Sequence, residues 1–148
     1  MPVVLIDTNV WVSAFINPYG YPARIVKAWN DGAFQVVVSQ ALLEELVDVL
    51  SRPRIRDKYG LNADEVTEFL KILAARAIRV LTTGELSVCR DPDDNLILET
   101  ALLGGAKYAV SRDDDIKHDQ ELIAAMSARG VTVLSIQQMW DRLTNNAL

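Results

Sequence analysis

The chain alternates short runs of branched apolar residues with longer stretches whose apolar residues recur at helical spacing. Val3-Val4-Leu5-Ile6, Phe34-Gln35-Val36-Val37-Val38-Ser39, Ile78-Arg79-Val80-Leu81, Lys107-Tyr108-Ala109-Val110-Ser111 and Val131-Thr132-Val133-Leu134 read as five strands. Short, mostly continuous apolar runs suit strands covered on both faces, as in a parallel sheet. Helical spacing marks Val10 to Ile16, Ala23 to Trp29, Ala41 to Leu50, Leu61 to about Ala77, Gln120 to Ala128 and Ile136 to Leu143. A further helix opens at Asp91-Pro92-Asp93-Asp94 and stops at Gly104-Gly105. Asn17 to Pro22 is a proline- and glycine-marked break, Arg54 to Gly60 a basic connector, and Thr82 to Arg90 a loop. Strand and helix alternate throughout, which predicts an α/β fold. We expect a three-layer α/β/α sandwich around a central parallel five-stranded sheet, one domain over residues 1–148.

Carboxylates recur where such a sheet would present its C-terminal edge, the edge at which open α/β sheets bind ligands. Asp7 ends the first strand, followed by Thr8 and Asn9. Any of the three could simply cap the next helix. In the helix from Ala41, Leu42, Leu43, Leu46, Val49 and Leu50 form the apolar stripe, so Glu44 and Asp48 face water. Glu45 lies on the shoulder of that stripe, where both a solvated charge and an inward ligand fit. Asp91 has the place of an N-cap and Asp93 suits the positive end of the helix dipole. Asp94 instead stands above Ile97, Leu98 and Ala101, on the buried side, where a charge needs a partner. After the fourth strand come Arg112-Asp113-Asp114-Asp115. Read as an extended segment, it turns Asp113 and Asp115 the same way, with Asp113 nearer the strand. Carboxylates without a paired base suit hard cations such as Mg²⁺ or Mn²⁺.

Composition narrows the field. With 148 residues, half of them hydrophobic and 24% charged, the chain can build one ordinary core. Its single cysteine, Cys89, excludes an internal disulfide and reads as a small buried residue. No run approaches the roughly 18 apolar residues of a membrane span, and the N-terminal run is too short for a signal peptide, so a cytoplasmic location is expected. A net charge of −5 argues against broad counterion-releasing attachment to nucleic acid, though not against a nuclease with acids gathered around cations. The positive residues Arg52, Arg54, Arg56 and Lys58 cluster after the Glu45 helix, as a solvated connector or as RNA-phosphate contacts. Neither GxxxxGK[ST] nor GxGxxG occurs, and the lone His118 has no second histidine for a zinc site.

Four segments together, VVLIDTNVWVSAF, VVVSQALLEELVDVLSRPR, CRDPDDNLILETA and AKYAVSRDDDI, resemble the PIN-domain family, in particular the ribonuclease toxins of bacterial toxin–antitoxin pairs. The resemblance implies an acidic metal site of Asp7, Glu45, Asp94 and Asp113, with Asp115 as an additional candidate ligand. Thr8, Asn9 and Ser111 would orient these ligands or the attacking water. It implies Mg²⁺- or Mn²⁺-dependent endonucleolytic hydrolysis of RNA with one or two ions, a small antitoxin partner and a homodimer or higher homo-oligomer. The chain departs from the pattern at Ser111, where many relatives have Thr, and in the polar run Ile116-Lys117-His118-Asp119. Two other readings compete. A PIN fold could serve as a non-enzymatic interaction module. A phosphatase of the haloacid-dehalogenase type also has an Asp after its first strand, but normally a second two residues on, where this chain has Asn9.

Overall fold

The computed structural model describes residues 1–148 apart from the side chain of Asp113. Its first half runs β1 (Val3–Ile6), α1 (Thr8–Ile16), α2 (Tyr21–Asn30), β2 (Gln35–Ser39), α3 (Gln40–Ser51), α4 (Pro53–Tyr59), α5 (Ala63–Arg76) and β3 (Ile78–Val80). Its second half runs α6 (Pro92–Leu103), β4 (Tyr108–Ser111), α7 (Asp113–His118), α8 (Gln120–Ser127), β5 (Thr132–Ser135) and α9 (Ile136–Thr144). All strand pairs are parallel, in the order β3-β2-β1-β4-β5. The expected five-stranded parallel sheet is therefore present.

Successive strand residues point to opposite faces, so each strand feeds two cores. Val4 and Ile6 of β1, Val36 and Val38 of β2 and Val110 of β4 join the larger core, with residues from α1, α2, α3, α5 and α9. Leu5, Val37 and Ala109 point the other way, into a smaller core with Leu98 and Ala101 of α6 and Leu122, Ala125 and Met126 of α8. Cys89 is buried in this second core, as expected of a small apolar residue. Helices on both faces leave the sheet's C-terminal edge as the open side. The chain turns outward from β1 in both directions, toward β2 and, after the α6 crossover, toward β4. The crevice between β1 and β4 is therefore the switch point at which α/β sheets place ligands.

Two expected loops are helices. The segment from Arg54 to Gly60 is not an open connector but α4, started by Pro53 at its first position and stopped by Gly60 in the left-handed conformation. The acidic run after β4 is α7, entered through Arg112 in an extended conformation. Acids at a helix start are favoured by its dipole, and three in a row disguised a helix as a loop.

The long connection from Leu81 to Asp91 carries no strand or helix, yet two α6 side chains pin it. Glu99 accepts from the Thr83 amide at 2.9 Å, the Thr83 hydroxyl at 2.7 Å and the Gly84 amide at 3.1 Å. The Thr83 hydroxyl, with these amides, holds the Glu99 carboxyl below the usual range although burial opposes it. Asn95 accepts from the Val88 and Cys89 amides and donates to the Cys89 carbonyl. Glu99→Ala removes every Glu99 bond while leaving Asn95 in place. Amide exchange at Thr83 and Gly84 should then accelerate about tenfold or more, with little change at Cys89. Unchanged exchange at Thr83 would mean that the loop is held by other contacts.

Candidate functional site

The open edge carries a cleft of about 270 Å³. Asp7 sits at its centre because the β1–β4 ladder continues one residue past the strand, the Asp7 amide donating to the Val110 carbonyl at 3.0 Å. Asp7 holds the N-cap position of α1, and its carbonyl accepts from Val10 and Trp11, but its carboxyl makes no cap bond. That carboxyl is free to face the cleft instead. Burial first, then the charge of Asp115 and a hydrogen bond to it, then Glu45, push its pKa from 3.8 up to about 7.

Of the two roles open to Thr8 and Asn9 from the sequence, capping α1 is not the one their side chains take. They occupy its first two positions and point to the acids. The nearly buried Thr8 hydroxyl donates to Glu45 Oε2 at 3.4 Å, and the Asn9 amide donates to Asp115 Oδ2 at 3.2 Å. Glu45 is exposed at the cleft wall, in the second turn of an α3 whose start is capped by Ser39. Glu44 bonds Gln40 on the outer surface, and Asp48 pairs with Arg52, as the helical spacing predicts.

The opposite wall comes from α6. Asp91 does cap that helix, accepting from the Asp93 amide at 2.9 Å, and Asp94 stands one turn inside. Burial, followed by the charges of Asp119, Asp91, Glu121 and Asp93, pushes the Asp94 pKa up to about 6. Asp91, Asp93, Asp94 and Ser111 all line the cleft. Arg52, Arg54, Arg56 and Lys58 do not. Arg52 is paired with Asp48, Arg56 donates to the Leu50 carbonyl, and Lys58 lies over the Tyr59 ring.

This arrangement is accompanied by a direct family match: residues 3–115 match the PIN domain. The chain belongs to the PIN-domain family. An uncharacterized protein of Methanocaldococcus jannaschii is 30% identical over 121 residues, covering 78% of this chain and 77% of that protein. The PIN fold is a nuclease-type fold, and PIN domains typically bind divalent metals.

Within this PIN domain, Asp115 lies on helix α7 and not in the extended segment expected after β4. It is bonded to Asp7 and Asn9 in the cleft. The side chain of Asp113 lies outside the described residues. One turn beyond Asp115 stands Asp119, which lines the cleft and was not singled out from the sequence. Burial, then the charges of Asp115 and Asp91, raise its pKa. The i, i+4 spacing of 115 and 119 would have been the signal, had the segment been read as a helix. His118, between Lys117 and Asp119, is exposed and does not line the cleft.

Among the described residues no three carboxylates close into a finished coordination shell. The donor set nevertheless fits a divalent cation. It is all oxygen, and Asp7 and Asp115 share a hydrogen bond, so a proton offsets repulsion that a cation would also relieve.

Proposed function

We propose that this PIN domain is a metal-dependent endoribonuclease and the toxin of a type II toxin–antitoxin pair. The observation that carries the nuclease reading is the convergence of Asp7, Asp115, Glu45 and Asp94 on one cleft at the switch point. Asp7, Asp115 and Glu45, with Asp94 and Asp113, would hold one or two Mg²⁺ or Mn²⁺ ions. Bound there, such an ion supplies charge neutralisation at a phosphodiester and a water of lowered pKa. The chain's own part is placement. Thr8 fixes Glu45 and Asn9 fixes Asp115, so both carboxylates are oriented from one helical turn. Ser111, at the end of β4, adds a hydroxyl to the same floor. No histidine base is needed, because deprotonated carboxylates and a cation-bound water suffice.

Single-stranded RNA incubated with the purified chain should be cut internally with Mg²⁺ or Mn²⁺, and not after chelation. Cutting should fall about a hundredfold or more in Asp94→Asn. Cleavage that survives both treatments would come from another enzyme. Recovery of the binding ion should also be visible without any substrate. At pH 8 Mn²⁺ should raise the melting midpoint by several degrees. At pH 5.5, where Asp7 and Asp94 hold protons, the gain should largely vanish. An equal gain at both pH values would place the ion elsewhere.

The toxin assignment extends from the resemblance to ribonuclease toxins and carries with it a small antitoxin partner and a homodimer or larger assembly. A short reading frame beside this one, encoding a protein that co-purifies with the chain and blocks cleavage, is the observation that tests it. Among the described residues no helix is long and apolar enough to cross a membrane, and a cytoplasmic site of action fits an RNA target.

A further inference from the structure

The mouth of the cleft has the wrong sign for a polyanion, since seven described carboxylates line it. A strand of RNA needs a cation at the lip, and the clustered cations of α4 do not line the cleft. Arg90 is not among the lining residues either, but it adjoins one of them. It directly precedes Asp91, and its backbone amide donates to Glu121 Oε1 at 2.7 Å. Its Nε donates to the other oxygen of the same carboxylate at 3.2 Å, while its side chain stays 96% exposed.

An ion pair this exposed contributes little to stability. What the double bond to Glu121 does is fix direction. With the Nε edge committed to Glu121, the terminal amino groups remain available as a planar fork. Such a fork matches two phosphate oxygens in a way that a lysine cannot. The loop that carries it is itself anchored by Asn95 at the Val88 and Cys89 amides, so the guanidinium starts from a fixed backbone.

We infer that Arg90 binds a backbone phosphate of single-stranded RNA beside the one to be cleaved, with Glu121 as the residue that positions it. The inference rests on the nuclease reading above and adds the contact that holds the substrate strand across the acidic edge.

The test is binding of a fluorescent single-stranded RNA oligonucleotide to the full chain carrying Asp7→Asn, in Mg²⁺ and over a range of salt. Adding Arg90→Ala should raise Kd about five- to tenfold and lower the slope of log K against log salt by about 1. The melting midpoint should not move, because any residue at position 90 still offers its amide to Glu121. Arg90→Lys should restore the salt slope but only part of the affinity. In the cleavage-competent chain, Arg90→Ala and Glu121→Gln should both raise KM and largely spare kcat. Binding by the Asp7→Asn chain that Arg90→Ala leaves unchanged would overturn this assignment alone. So would a loss of affinity matched by a fall in midpoint. Absence of both binding and cleavage in the unsubstituted chain would overturn the nuclease reading, and the assignment with it.

Discussion

Replacing Asp7 with Asn should abolish cleavage and, in the same protein, raise the melting midpoint of the metal-free chain. The two effects share one cause. Folding takes the Asp7 carboxyl out of water and sets it against Asp115 and Glu45, so its pKa climbs from 3.8 to about 7. The folded chain then holds a proton on Asp7 that the unfolded chain gives up between about pH 4 and pH 7. Stability contributed by that proton is fully present below the unfolded pKa and lost as pH rises through the folded one. At pH 8 the native state therefore carries an unfavourable charge, which Asn does not have. Removing it should add about 1–3 kcal/mol, the openness of the cleft screening part of the full shift. For a chain of this size that is about 3–10 °C. Without the charge, Mn²⁺ should no longer stabilise the fold, and RNA cutting should fall by at least about a hundredfold. The metal-free wild type should likewise melt higher at pH 5.5 than at pH 8, a difference that shrinks in Asp7→Asn. A midpoint that falls in the variant would mean that Asp7 serves the fold rather than cation chemistry.

The second large effect is expected far from the acids. Gly104 ends α6 with φ −83°, a conformation open to any residue, so its lack of a side chain answers a different need. A Cβ built there would lie 2.2 Å from Val37 Cγ2 and 2.7 Å from Val37 Cβ. Val37 is fully buried in strand β2, between β3 and β1, on the thinner face covered by α6 and α8, and has no room to retreat. Gly104→Ala should cost about 3 kcal/mol or more, lowering the midpoint by roughly 10 °C. Shortening the partner should return part of the loss. In the double variant with Val37→Ala two offending methyls are gone, though Cβ remains, so the costs should add to less than their sum. Strict additivity would show that the helix end shifts to accept the methyl.

The parts of the chain that could be read in advance are those where one pattern has one physical cause. Val36-Val37-Val38 is apolar on both sides because helices cover both faces, and that made the parallel sheet legible. Glu44 and Glu45 differ by about 100° of helix, which placed Glu44 in water and Glu45 on the shoulder of the apolar stripe, with its role left open. Where several causes produce the same residues, reading failed. Acids at a helix start look like an acidic loop, so α7 was missed and Asp119 with it. Thr8 and Asn9 are favoured caps, yet tertiary partners at Glu45 and Asp115 claim their side chains. Their partners lie 37 and 106 residues away, beyond what any local pattern reports. Nothing local marks Glu99 for its role, because the loop residues it gathers lie 15 and 16 residues away.

The strand order has a consequence in time as well as in space. The central strand β1 is made before its partner strands, and one of its neighbours, β4, begins as late as Tyr108, which pairs with Val4. Such non-local pairing makes folding slow relative to chains built from local contacts. Asp7 and Asp115 cannot meet until synthesis has passed Asp115, so a shorter nascent chain carries no assembled acidic edge. Under the proposed function, the nascent chain stays harmless to its own message and ribosome until synthesis has passed Asp115. The topology postpones the hazard without any inhibitor.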